Sequence, residues 1–113
     1  AGTDRVIPIA DKILPLVKNR YDANRRFLVN NKYGNHYTYG SYVSANFNTV
    51  MNKLNMKHLP HDGRHTFASL MDDAGANEVC IKLIMGHSMK NNVTKGVYTH
   101  KTTQQLIDEV NKI

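Results

Sequence analysis

From residue 41 onward, apolar residues recur three and four positions apart, in segments closed by proline, glycine and small polar residues. That punctuation confines most of the chain to helices. A helix from about Ser41 to Leu54 places Val43, Phe47, Val50, Met51 and Leu54 on one stripe. Pro60 sits where a helix can begin, with Phe67, Leu70, Met71 and Ala74 on its buried face and Gly75 at its end. Asn77 is a suitable cap for the next helix, which buries Val79, Leu83 and Ile84 and stops at Gly86. Thr102 and Gln105 have capping-box spacing ahead of Leu106, Ile107, Val110 and Ile113.

The first forty residues read differently. Arg5-Val6-Ile7-Pro8-Ile9 is short, β-branched and apolar, and Ala1-Gly2-Thr3-Asp4 before it has turn character. This pattern predicts one strand of a hairpin whose partner lies upstream, because a lone strand cannot satisfy its own backbone. Asp11 is expected to cap a helix running to about Tyr21, with Ile13, Leu14 and Val17 on one side and Pro15 near its start. Phe27-Leu28-Val29 reads as a short extended piece before the polar loop Asn30–Asn35. The expected fold is mainly α with a small β element at the amino terminus, an α+β arrangement. With 113 residues, no repeat and no linker rich in Gly, Pro or Ser, residues 1–113 are expected to form part of one domain.

Charge points to a partner class. The chain carries a net charge of +6. Residues 1–60 hold nine Lys/Arg against the three acids Asp4, Asp11 and Asp22, whereas basic and acidic groups balance in residues 61–113. A basic surplus confined to one half suits nucleic acid, although lysines that merely solvate helix faces would give the same count. No apolar run approaches the length needed to cross a bilayer. Cys80 is the single cysteine, so no internal disulfide forms and a reducing, cytoplasmic setting is expected.

Three segments could carry chemistry. In His61-Asp62-Gly63-Arg64-His65-Thr66, positions 61 and 64 share a face at the start of a helix, where unpaired N–H groups and the dipole favour an anion. Arg64 could grip two phosphate oxygens while His61 moves a proton. An isolated His-x-x-Arg arises readily by chance among six histidines, and a solvated helix start has the same look. The four-residue spacing of His61 and His65 also fits zinc. That reading puts the short acid Asp62 where a zinc protease has glutamate, and Arg64 beside the metal. In Ile84-Met85-Gly86-His87-Ser88, Gly86 permits a left-handed turn that fixes His87 on a corner. From there the histidine either donates to an anion or caps the preceding helix. In Gly96-Val97-Tyr98-Thr99-His100, Tyr98 is either a packing residue or a nucleophile, and the latter needs its proton removed.

Taken in order, His61-x-x-Arg64-His65-Thr66, Met85-Gly86-His87-Ser88 and Tyr98-Thr99-His100 resemble the signature boxes of the tyrosine recombinases, the phage-integrase family. The opening run to Ile9 is similar to the second strand of that family's catalytic hairpin. Phe27-Leu28-Val29 and the stretch from Tyr39 to Leu54 fall where the family has a short strand and a helix. The resemblance covers essentially the whole chain. The interval from His87 to Tyr98 is slightly longer than is common in the family, implying a loop of different length before the tyrosine.

The resemblance implies that Tyr98 attacks a scissile DNA phosphate to form a 3′-phosphotyrosine, with Arg64, His61 and His87 as the other catalytic residues and no metal or cofactor. It further implies double-stranded DNA at attachment sites as substrate, a tetramer on DNA, and accessory DNA-bending or excision factors. The family's second arginine and its hairpin lysine have no match here, so the chain is expected to be the carboxyl-terminal portion of the catalytic domain and inactive alone. The apolar stripe of residues 102–113 packs either on a neighbouring protomer or on its own core. A non-catalytic DNA-binding remnant of a mobile element is the alternative from another class.

Overall fold

Helix boundaries follow the capping chemistry of individual side chains. The computed structural model describes residues 5–87 and 101–113. It divides into two compact units, Ala1–Leu14 with Arg64–Ile113 and, separately, Pro15–Gly63.

In the first unit, α1 (Leu14–Arg20) begins; the unit boundary falls after its first residue. Asp11 is not its cap. The Ala10 carbonyl accepts from Ile13 and Leu14, and the Asp11 N–H donates to Asn111 Oδ1 at 2.8 Å, so Asp11–Ile13 forms a turn before the helix. Helix α2 (Pro60–Asp73) enters this unit at Arg64. It ends in a Schellman turn: Gly75 has φ +68°, its N–H bonds to Asp72 O, and the Ala76 N–H bonds to Met71 O. Asn77 then caps α3 (Glu78–Met85), its side chain accepting from the N–H groups of Val79 and Cys80. Helix α4 (Thr103–Val110) starts with the full capping box of Thr102 and Gln105.

These elements enclose one core of Ala10, Met71, Cys80, Ile84, Leu106 and Val110, with Phe67, Ala76, Ile81, Leu83 and Ile113 packed around it. Met71 is fully buried, which stabilises the fold by about 1.5–3 kcal/mol. Within the single chain, Leu106 and Val110 of the carboxyl-terminal stripe are buried in this core. The α4 Glu109 carboxylate fastens it further, accepting from the Asn77 N–H at 2.6 Å. Leu70, expected inside, is half exposed and lines a groove.

In the second unit none of residues 15–63 is buried. Aromatic contacts take the place of a core: Phe27 against His36 at 5.1 Å, Tyr37 against Tyr42 at 5.9 Å, and Tyr42 against Phe47 at 6.4 Å. The polar loop closes on Asn31, whose side chain accepts from the N–H groups of Tyr33 and Asn35. The helix expected over 41–54 starts earlier, because Thr38 rather than Ser41 caps it. It runs as Tyr39–Tyr42, then π-helical Val43–Phe47, then Asn48–Lys53. The π turn holds an extra residue and rotates the α-helical turns beyond it. The stripe is thereby broken: Val43, Phe47 and Met51 stay partly covered, while Val50 and Leu54 are exposed.

The fold is therefore mainly helical. Among the described residues there is no strand, and residues 5–10 and Phe27-Leu28-Val29 are irregular. A strand needs a ladder partner, and none of the described residues supplies one.

Candidate active site

The site begins at the amino terminus of α2. Pro60 takes the first helical position, where its missing N–H costs nothing. Two residues on, Asp62 Oδ2 accepts from the Leu59 N–H at 3.0 Å and lies 3.3 Å from His58 Nδ1. The carboxylate thus serves the cap, which turns it away from the catalytic-base role of the zinc reading. Among the described residues no three His, Cys, Asp or Glu side chains converge as metal ligands would.

This cap fixes the first turn of α2 and places His61 and Arg64 one turn apart along it. The His61 imidazole is exposed and Arg64 is half-buried. Exposure suits a group that exchanges protons. Partial burial suits a guanidinium that must hold one geometry.

The second part is the corner after α3. Gly86 adopts φ +68° and ψ 31°, its N–H bonds to Leu83 O at 3.1 Å, and the His87 N–H bonds to Lys82 O at 2.9 Å. The backbone of His87, rather than its ring, therefore caps the helix, and the imidazole is exposed. Arg64 meets this end of α3 across a groove of about 770 Å³, which Met85 also lines. The groove is otherwise apolar over most of its wall, with Ile7, Ile13, Phe67 and Leu70 among its lining. An apolar wall beside Arg64 weakens competition from water for the guanidinium.

One residue of this region had no role in the sequence pattern. The Arg5 guanidinium lies on Gly86: a side-chain carbon at that glycine would stand 2.8 Å from Arg5 Cζ, 2.8 Å from Nη1 and 3.0 Å from Nε. The contact joins positions 81 apart, so no local periodicity signals it. Its only trace in the sequence is an arginine leading an apolar run, together with a glycine just ahead of a candidate histidine. Tyr98, the proposed nucleophile, lies outside the described residues.

Comparison with known proteins supplies the family of the chain. The model of the phage integrase family fits residues 1–105. The chain belongs to that family. A tyrosine recombinase of Thermosipho africanus is 27% identical over 112 residues, covering 97% of this chain and 39% of the relative. One from Pseudothermotoga lettingae is 28% identical over 119 residues, with the same coverages of 97% and 39%. The transposase from transposon Tn916 of Enterococcus faecalis is 27% identical over 127 residues, covering 91% of this chain and 31% of the relative. This integrase-family chain thus spans about two fifths or less of the length of these curated relatives. No solved structure matches it significantly.

Proposed function

We propose that the chain is the carboxyl-terminal part of the catalytic domain of a site-specific tyrosine recombinase, which cuts and rejoins DNA through Tyr98. The observation that carries this reading is that half-buried Arg64 shares one groove with Met85, the last residue of α3 before the Gly86–His87 corner, in a chain of the integrase family.

A phenol has a pKa of ~10, so Tyr98 must lose its proton as it attacks. His61 accepts that proton, the Tyr98 oxygen bonds to phosphorus, and the bond from phosphorus to the 5′ oxygen breaks. The product is a 3′-phosphotyrosine and a 5′-hydroxyl. The 5′ oxygen takes its proton from a group with no match among these residues, since the family's hairpin lysine has none. Arg64 binds the non-bridging oxygens as their charge grows, and His87 donates to the same phosphate. Attack by the partner strand's 5′-hydroxyl reverses the step and restores Tyr98. Substrate is double-stranded DNA at attachment sites, bound by a tetramer of the complete gene product with accessory bending or excision factors.

The test mixes the complete gene product with supercoiled plasmid bearing the attachment sequence, with no added metal. A protease-sensitive adduct at a 3′ phosphate is expected, and it disappears in Tyr98→Phe. The 113 residues alone are expected to bind DNA weakly and to form no adduct. Intact DNA binding without any adduct at a validated site would instead support a non-catalytic DNA-binding remnant.

A further inference from the structure

We infer that Arg5 is a positioning residue of the proposed active site, acting through Gly86 to hold His87. This rests on the recombinase reading and adds a residue to it. Three observations meet at one corner. The first is the seat. The Cβ position of Gly86 is nearly equidistant from Arg5 Cζ, Nη1 and Nε, which puts the glycine over the flat face of the guanidinium rather than its edge. Only a residue without a side chain leaves room for that face. The second is the backbone: Gly86 is held left-handed at φ +68°, and the next N–H, that of His87, is tied to Lys82 O. The corner therefore has little slack, and the place of His87 follows from the place of Gly86. The third is charge. The guanidinium stands at the carboxyl end of α3, where the helix dipole favours a cation.

Together these make Arg5 a flat, positively charged stop against which the corner closes. Its removal frees Gly86 to shift, and His87 moves with it. A hydrogen-bond donor to a transferring phosphate is sensitive to displacements of this kind, since misplacement by ~1 Å can cost two orders of magnitude in rate. In this scheme the effect of Arg5 on cleavage passes through Gly86 to His87.

A double-mutant cycle in the complete gene product tests this, with adduct formation on a nicked suicide substrate as the readout and the thermal midpoint measured alongside. Arg5→Gln is expected to slow adduct formation about tenfold when His87 is present and less than about twofold in the His87→Ala background. Arg5→Lys, which keeps the charge but not the flat face, is expected to hold the thermal midpoint better than Arg5→Gln and still to lose most of the rate. Equal losses in both backgrounds would mean that Arg5 only supports the fold, and the proposal would fall. Rescue of the rate by Arg5→Lys, or no loss in Arg5→Gln, would overturn it too. If Tyr98→Phe leaves the adduct unchanged, the recombinase reading itself fails and takes this inference with it, whereas an unchanged adduct in His87→Ala overturns this inference alone.

Discussion

Two glycines next to candidate catalytic residues behave in opposite ways. Gly63 lies inside α2 between His61 and Arg64, and a side-chain carbon there meets nothing within 4 Å. Glycine in a helix interior costs about 0.5–1 kcal/mol relative to alanine, so Gly63→Ala is expected to raise stability by about that amount in a urea titration. Gly86→Ala meets the Arg5 guanidinium and must also hold φ +68°. It is expected to lower stability by more than about 1 kcal/mol in the same titration. Equal effects at the two positions would contradict the seating of Arg5. Gly86 was legible in the sequence as a helix stop because that role is local. The guanidinium above it was not, because that contact depends on how two distant segments come together.

At the level of elements, starts and stops were largely readable, since proline, asparagine, threonine and glycine act on backbone groups within a few residues of themselves. Pro60, Gly75, Asn77, Gly86 and the Thr102–Gln105 box all fall where their chemistry places them. The π turn was not readable, because one additional residue in a turn changes neither composition nor capping. Of the candidate site, the helix start that carries His61 and Arg64 and the turn before His87 were legible as local capping signals, whereas the groove shared by Arg64 and the end of α3 was not.

The union of α4 with the start of α3 offers an element-scale prediction. Glu109 is mostly shielded, and its carboxyl is held below the usual carboxylate range, first by the Asn77 N–H and then by Lys112. Glu109→Ala is expected to cost about 2 kcal/mol, the worth of a hydrogen bond to a charged group. Because the folded-state pKa is depressed, this contribution is complete above the ordinary carboxylate pKa of ~4.3. It is lost as pH falls through the folded value. Denaturation curves at neutral pH and at successively lower pH should therefore show the variant and the parent converging on the acid side. A constant gap between them would assign the cost to packing instead.

On the scale of the whole molecule, burial and charge are divided unevenly between the two units. Among the described residues, all buried apolar side chains belong to the unit of Ala1–Leu14 and Arg64–Ile113, while the basic surplus lies in residues 1–60. No helix among the described residues is long and apolar enough to cross a membrane. Sulfur chemistry gives the buried unit a reporter of its own. Cys80 is the chain's single thiol, sits at 1% exposure in the core, and has its pKa pushed up chiefly by burial. A thiolate-seeking dye can reach it only when the packed unit opens, so the labelling rate times that opening without any engineered probe. Colour should develop slowly and in one phase in native buffer and at once in denaturant; fast native labelling would mean that this core breathes far more freely than its packing implies.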